Sequence, residues 1–157
     1  AWIKAQCQGS TRYGLLASSG ALRLKPEGIF VKNKISVEDW FLNGKDDVRS
    51  SYMLEDVVTE FDIQGLELDY SLVAWDADYR FTNNSWTYHT FKGTRWNNIN
   101  SEEKRLYLKN AYRVLLTRAR QGMVIFIPKG SLEDTTRKQE YYDGTYHYLS
   151  SLGLETI

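Results

Sequence analysis

The sequence predicts an α/β fold in which a mostly parallel sheet is flanked by helices, with an inserted antiparallel hairpin around residues 79–97. Two short, nearly continuous apolar runs, Tyr13–Ala17 and Ser71–Trp75, are typical of strands covered on both faces. A clear amphipathic helix begins at Ser101 and is followed by a third apolar run. This alternation of strands and helices favours a layered sheet over a sandwich.

The first third of the chain contains one strand and one short helix with clear boundaries. The strand Tyr13–Ala17 stops at a polar turn that begins with Ser18. Ser36 is a typical N-cap, the acids that follow it suit a first helical turn, and Asn43-Gly44 ends the helix. Further on, the β-branched and aromatic residues of the segment Met53–Phe61 favour a second strand.

The segment from Tyr79 to Trp96 differs from the rest because aromatic residues alternate with Thr, Asn and Lys. Asn83-Asn84 and Lys92-Gly93 are turn signals within it. Together they predict the inserted antiparallel hairpin.

The last third predicts a helix, a buried strand and a final helix. Ser101 caps the first helix, and we expect Gly122 to end it. The run Met123–Ile127 predicts a strand, and Tyr141–Leu152 predicts an amphipathic helix that ends at Gly153. The expected buried face of the helix after Ser101 consists of Tyr107, Ala111, Val114 and Leu115.

Length and composition exclude several classes of protein. A chain of 157 residues is about one domain, and 20 basic residues balance 20 acidic ones, so nucleic-acid contact must be local. The single Cys7 excludes an intrachain disulfide and argues against a metal site. No membrane segment or signal peptide is recognisable, so we expect a cytoplasmic protein, and the start without Met suggests a fragment of a longer chain.

Arg118 is the first candidate functional residue. Continuing the apolar stripe past Leu115 brings it to this arginine, and a guanidinium near a core needs an anionic partner. That partner is either a phosphate from outside the domain or an acid within it, such as Glu67. Snorkelling of the side chain at the helix end is a third explanation.

The second candidate is the segment Thr59–Glu67, in which a strand end leads through a loop centred on Gly65 to another strand. Ligands of open α/β sheets collect beside loops at the carboxyl ends of strands. Gly65 permits a close backbone approach, Glu67 suits ribose hydroxyls and Gln64 can donate to phosphate. The alternative is an ordinary turn whose acid faces solvent.

Taken together, the two segments resemble motifs V and VI of superfamily 1 helicases. The first is TEFDIQGLELDYSLVAW and the second is NAYRVLLTRARQGMVIFIP, which share with those motifs the GLE and TRA triplets and the strand after each. The strings RYGLLASSGALRL and YDGTYHYLSSLG look closer still to the Schlafen-group DNA/RNA helicase domain family. The resemblance extends over nearly the whole chain.

This resemblance implies that residues 1–157 form a single RecA-like second motor lobe of a P-loop NTPase. ATP and Mg²⁺ would bind in the full-length protein, between this lobe and the N-terminal motor lobe, with DNA or RNA as the other partner. Arg118 would be the catalytic arginine finger for the γ-phosphate. The other implied site residues are Thr117, which helps to position Arg118; Glu67 at the nucleotide sugar; Gln64 and Gly65 on the phosphate side; and Thr59 and Phe61 facing the nucleic-acid strand.

This sequence departs from the helicase pattern at three positions. Phe61 replaces the usual His, which leaves a ring on which a base could stack, and Gln64 replaces Lys, which removes a positive charge. The strand Tyr13–Ala17 resembles motif IV of the same helicases, but Ser18 stands where the arginine that follows this motif is expected, and Arg23 is the candidate substitute. The phosphate-binding pattern GxxxxGK(S/T) is missing, and so is an apolar strand ending in Asp-Glu. This chain alone is therefore expected to bind nucleotide poorly and not to hydrolyse it.

Three other functions remain open at this stage. The five tryptophans and eleven tyrosines could form a stacking platform in a nucleic-acid-binding module. A metal-dependent nuclease would use the acids on either side of one strand, but the lysine of the common nuclease pattern is missing. Alternatively, the domain keeps the helicase fold as an interaction scaffold without turnover. The acids considered for the nuclease are Glu67, Asp69, Asp76 and Asp78.

Overall fold

The computed structural model describes all residues 1–157 and contains two sheets. Four strands form a parallel sheet in the order β2-β1-β3-β7, and three form an antiparallel sheet in the order β4-β5-β6. The predicted α/β class is confirmed. The strands are β1 (Tyr13–Ala17), β2 (Val57–Val58), β3 (Leu68–Ala74), β4 (Tyr79–Thr82), β5 (Ser85–Lys92), β6 (Arg95–Asn98) and β7 (Ala119–Phe126).

The core lies on both faces of the parallel sheet, because the central strand β1 is buried along its whole length. Leu15 pairs with Val57 on one side and with Leu72 on the other, and it packs toward one face. Leu16, next along the strand, packs toward the opposite face with Trp40. Each such side chain contributes roughly 1.5–3 kcal/mol by leaving water, and this explains the continuous apolar pattern of the strand.

Four α-helices flank the sheets, and two of them begin at the predicted caps. The Ser36 side chain accepts a hydrogen bond from the Asp39 N–H, and the Ser101 side chain accepts one from the Lys104 N–H. No helix is both long enough and apolar enough to cross a membrane. The helices are α1 (Trp2–Gln6), α2 (Val37–Leu42), α3 (Glu102–Leu116) and α4 (Glu140–Ser151).

The inserted hairpin predicted around residues 79–97 is a three-stranded antiparallel sheet. Both predicted turns are present. Asn83 and Asn84 have φ of 51° and 61°, as a tight turn between β4 and β5 requires, and Gly93 has φ of 62° between β5 and β6. Helix α4 packs against β4, which attaches the insertion to the rest of the domain.

Several predicted boundaries were wrong. Strand β3, expected over Ser71–Trp75, begins three residues earlier, at Leu68, and ends at Ala74. The strand expected over Met53–Phe61 is only the two-residue β2, because Ser51–Met53 forms a 3-10 turn. Helix α3 ends at Leu116 and does not continue to Gly122, which instead lies inside β7. Strand β7 therefore begins at Ala119, four residues before the expected Met123. The cause is tertiary pairing, because Leu68 at the start of β3 donates its N–H to the carbonyl of Arg118, 3.0 Å away.

The predicted buried face of α3 was partly wrong. Ala111 and Leu115 are buried as expected, but the other buried residues are Leu108 and Tyr112, and Val114 is only partly buried. The side chain of Tyr107 lies outward and is 47% exposed. Both sets satisfy helical spacing, so the sequence pattern alone did not distinguish them.

Candidate functional site

A crevice lies at the amino end of the parallel sheet, where β3 and β7 begin. We call it the amino-end crevice. Helix α2, the loop before β3 and the start of β7 each contribute residues to it, and its mixture of two arginines, one carboxylate and one ring suits a charged ligand that also carries an apolar part. The lining residues are Phe41, Gly65, Leu66, Glu67, Arg118 and Arg120.

Arg118 lies in the turn after α3, and not on the continuation of the helical apolar stripe that the sequence predicted. Its carbonyl accepts from the Leu68 N–H, which fixes the backbone of Arg118 beside the start of β3. The side chain lines the amino-end crevice, and its Nε is buried without a hydrogen-bond partner. Arg118 forms no ion pair within the chain, so the internal salt bridge considered from the sequence is not formed.

Glu67 and Gly65 lie in the same crevice as Arg118. The Glu67 carboxylate is exposed and pairs weakly with Arg120, with 3.8 Å between Oε2 and Nε. Gly65 has φ of +76°, a conformation that side chains disfavour, with open space around its Cα. The loop therefore presents backbone and one exposed, weakly paired carboxylate to the crevice.

The other two predicted nucleotide-binding residues lie beside the crevice and do not line it. Gln64 is exposed next to Gly65. Thr117 is also exposed, and its hydroxyl donates to the carbonyls of Arg113 and Val114, at 2.9 and 3.1 Å. Thr117 therefore holds the end of α3, immediately before Arg118.

Arg120 is a crevice residue that the sequence did not single out. Its guanidinium pairs with Asp69 at 3.2 Å and with Glu67, and it supplies a second positive charge near the loop in which Gln64 replaces lysine. The pKa of Asp69 is lowered, chiefly because its carboxylate accepts from the Arg12 N–H and also because it accepts from Gln121 and Arg120. In the sequence, the only feature that pointed to Arg120 was its position two residues after Arg118.

The segment Thr59–Glu67 spans both ends of the sheet, so the expectation that it lies at the carboxyl ends of the strands was wrong for its second half. Strand β2 ends at Val58, and the chain then returns across the sheet to begin β3 at Leu68. Thr59 and Phe61 consequently lie at the carboxyl end. Gly65 and Glu67 lie at the amino end with Arg118.

At the carboxyl end, Thr59 and Phe61 differ in exposure. Thr59 is buried, and both its N–H and its hydroxyl donate to Asp62. Phe61 is 60% exposed and lies beside Tyr107, with 6.0 Å between ring centroids. Only Phe61 of this pair presents a side chain to solvent.

Three buried carboxylates, Glu60, Asp76 and Asp78, follow β2 and β3 at the carboxyl end, and we call them the carboxylate cluster. Asp78 accepts from the hydroxyls of Ser18 at 2.7 Å and Tyr112 at 2.5 Å. Burial, reinforced by the charge of Asp76, raises the pKa of Asp78 to about 7. The pKa of Asp76 is also raised, first by burial.

The carboxylate cluster does not support the metal-dependent nuclease. Asp76 and Asp78 lie beyond the end of β3, fully buried against the hydroxyls of Tyr142 and Tyr112. No group of three or more His, Cys, Asp or Glu side chains is arranged to hold a metal ion. The tyrosine hydroxyls donate to these carboxylates, so the oxygens that a metal ion would need are already used within the domain.

The raised pKa of Asp78 predicts how stability varies with pH. Because the folded carboxyl holds its proton up to about pH 7 while the unfolded one loses it near 3.8, stability falls as pH rises through that interval. We expect a loss on the order of 2 kcal/mol between pH 5 and pH 8 from this group. Urea unfolding should show that Asp78→Asn flattens the dependence. An equally steep profile in the variant would contradict this role of Asp78.

Ser18 and Arg23 do not reach the amino-end crevice. Ser18 bonds to Asp78, and the Arg23 guanidinium is held by Asp134 at 3.0 Å and by Thr136 at 2.9 Å. Both residues follow the carboxyl end of β1. Arg23 therefore does not replace the missing motif IV arginine at this crevice.

Many aromatic residues of the antiparallel sheet pack against the rest of the domain. The Tyr79 ring stacks on Trp86 with 4.4 Å between centroids, and Trp75 contacts Tyr112 at 4.5 Å. The indole N–H of Trp96 donates to the Thr136 carbonyl at 2.8 Å. The density of aromatic residues in this segment reflects packing, which argues against the alternative of a stacking platform on this sheet.

A comparison with family models matches residues 1–129 to the Schlafen group 3, DNA/RNA helicase domain. The matched region includes all three segments that line the amino-end crevice, whereas α4 lies beyond it. Comparisons with curated proteins and with solved structures found no match. Because the model covers most of the chain, this protein belongs to the Schlafen group 3 DNA/RNA helicase domain family.

Proposed function

We propose that this domain is the second motor lobe of an ATP-dependent nucleic-acid helicase or translocase and completes an ATP site shared with an N-terminal lobe. The observation that supports this most directly is the Arg118 side chain. The buried Nε of Arg118 has no hydrogen-bond partner. The side chain lines the crevice that also contains Gly65 and Glu67, and it forms no ion pair within the domain. A guanidinium left in this state suits an anion supplied from outside the domain.

The donor set of the amino-end crevice fits a nucleotide. The Arg118 guanidinium would stabilise charge that develops on the transferring phosphoryl group. The exposed Glu67 carboxylate would accept from the ribose hydroxyls, and the open backbone at Gly65 lets the ligand approach closely. ATP would supply the phosphoryl group and Mg²⁺ would neutralise phosphate charge, held by residues of the N-terminal lobe.

The two ends of the parallel sheet would bind different ligands. Nucleotide would bind at the amino end, beside Arg118, and the DNA or RNA strand would bind at the carboxyl end, beside Thr59 and Phe61. The segment Thr59–Glu67 joins the two regions directly. A shift of this segment on nucleotide binding would therefore be transmitted to the strand-binding end along the segment itself, whose Ile63 is buried in the core.

The proposal is tested by replacing Glu67 with alanine in the protein that contains both lobes. Loss of the sugar contact is expected to raise KM for ATP about 5–30-fold, with kcat changed less than threefold, since one hydrogen bond to a charged group contributes about 1–2 kcal/mol. Steady-state hydrolysis with saturating single-stranded nucleic acid measures both constants. Glu55→Ala, at an exposed glutamate that does not line the crevice, is the matched control.

Two results would overturn the proposal. The first is the absence of ATP hydrolysis stimulated by nucleic acid in the two-lobe protein, which would favour a binding or interaction module without turnover. The second is equal behaviour of the Glu67→Ala and Glu55→Ala variants.

A further inference from the structure

Two exposed aromatic rings lie side by side at the carboxyl end of the sheet, and we call them the aromatic platform. Phe61 is 60% exposed and Tyr107 is 47% exposed. Their ring centroids are 6.0 Å apart, and their planes differ by 32°. The two rings come from different elements, the loop after β2 and the helix α3, so only the folded domain brings them together.

The Tyr107 ring is fixed in place although it is exposed. Its hydroxyl donates to Glu60 Oε1 at 3.3 Å, and Glu60 is only 3% exposed. Glu60 also accepts from the backbone N–H of Ser19 at 2.8 Å and from the Ser19 hydroxyl at 2.5 Å. Burial and the Glu60 charge raise the pKa of Tyr107 to about 12, so the hydroxyl remains a donor at neutral pH.

The surroundings of the platform are polar. One turn away from Tyr107 along α3 lie Glu103, Lys104 and Asn110, all of which are exposed. A stable protein interface usually needs an apolar patch of several hundred Å², which two rings among charged side chains do not provide. An isolated, rigid aromatic surface with a lysine nearby instead matches the stacking sites that bind single strands.

We propose that Phe61 and Tyr107 form a stacking site for a base of single-stranded nucleic acid, with Glu60 as the residue that positions the Tyr107 ring. The site extends the strand-binding role proposed above for Phe61 and rests on it. A duplex does not fit this geometry, because its base faces are covered by neighbouring base pairs. Since every base has a π-face, binding at the platform would depend little on sequence.

The test uses Phe61→Ala and Tyr107→Ala in the protein that contains both lobes, with a single-stranded oligonucleotide carrying 2-aminopurine. Each variant is expected to bind about 5–100-fold more weakly, and the quenching of 2-aminopurine on binding should decrease. The slope of log affinity against log salt should not change, because no phosphate contact is lost. The melting temperature should also change little, since Phe61 is 60% exposed and Tyr107 is about half exposed.

Tyr146→Ala is the matched control, because Tyr146 lies on α4 and is 43% exposed. Tyr107→Phe keeps the ring and removes the hydroxyl that bonds to Glu60. We expect it to lower affinity about 2–5-fold and to weaken quenching, as expected for a ring that has lost its anchor. Full quenching in Tyr107→Phe would contradict the positioning role of Glu60.

The outcomes separate this inference from the proposed function. If the unaltered protein does not bind single strands, the proposed strand-binding role fails as well. If it binds and Arg118 and Glu67 behave as proposed, but both alanine variants bind within twofold of the unaltered protein, the platform and the strand-binding role of Phe61 are wrong while the proposed ATP site stands. Weaker binding after Trp86→Ala or Tyr88→Ala, with no effect at Phe61 or Tyr107, would instead assign binding to the antiparallel sheet.

Discussion

Replacing Arg118 with alanine is expected to lower kcat for ATP hydrolysis by about 10³-fold or more, because arginine fingers act mainly in the transition state. The KM for ATP should change far less. In this structure, the substitution should affect turnover without affecting stability. Arg118 has no ion pair to break, and its buried Nε has no hydrogen bond to lose, so the variant should fold as stably as the unaltered domain.

Three comparisons make the Arg118 experiment decisive. Arg113→Ala removes an exposed arginine from the last turn of α3 and should leave kcat within twofold. Arg118→Lys keeps the charge but loses the forked geometry, so we expect it to recover little activity. Added guanidinium ion should partly restore turnover in the Arg118→Ala variant and should not raise turnover in the other two variants. A loss smaller than about tenfold in Arg118→Ala would contradict a finger and favour a scaffold without turnover.

Much of the fold was readable from the sequence because its signals are local. Strand β1 was predicted with its observed boundaries, since its apolar run is short and ends at serines. The starts of α2 and α3 were also predicted, because a serine N-cap followed by acids is a strong local signal. The two turns of the antiparallel sheet required left-handed residues, and Asn83-Asn84 and Gly93 supplied them.

The boundaries that were wrong depend on contacts between distant segments. Residues 117–121 have no strong local signal against continuing the helix, and α3 ends because the Arg118 carbonyl accepts from the Leu68 N–H. Strand β7 can begin early because Gly122 leaves room for the Tyr70 ring, which would lie 3.1 Å from an added Cβ. A sequence pattern based on neighbouring residues cannot predict either contact.

The candidate site was predictable in part. Gly65, Glu67 and Arg118 were identified from motif resemblance, and the fold brings them to one crevice. The resemblance did not identify Arg120, since its contribution depends on the crevice itself. Tyr107 was assigned to the core because it satisfied helical spacing, and only its contact with the distant Glu60 explains why an exposed tyrosine is held in place. The burial of the carboxylate cluster likewise depends on residues that are distant in sequence, because Ser18, Tyr112 and Tyr142 donate the hydrogen bonds to it.

Gly144→Ala is expected to destabilise the domain by about 3 kcal/mol or more, although alanine is the better helix former by about 1 kcal/mol. Gly144 lies in α4 where the helix meets β4, and an added Cβ would be 2.1 Å from the carbonyl oxygen of Phe81. A backbone oxygen in a strand cannot rotate away as a side chain can. The whole helix must therefore move outward, which should lower the melting temperature by about 6–12 °C.

An outward movement of α4 would also change the hydrogen bonds of the carboxylate cluster. This effect distinguishes a movement of the whole helix from strain confined to Gly144. Helix α4 supplies the Tyr142 hydroxyl that donates to Asp76 at 2.9 Å and the Thr145 hydroxyl that accepts from the Phe81 N–H at 3.1 Å. Separating Asp76 from Tyr142 leaves a buried carboxylate short of a donor, so Gly144→Ala should lose more stability at pH 8 than at pH 5. Thermal melts at both pH values measure this, with Gly44→Ala as the control because Gly44 has open space around it and no positive φ. A Gly144→Ala melting temperature within about 2 °C of the unaltered domain would mean that α4, which lies beyond the family match, is not tightly packed against the domain.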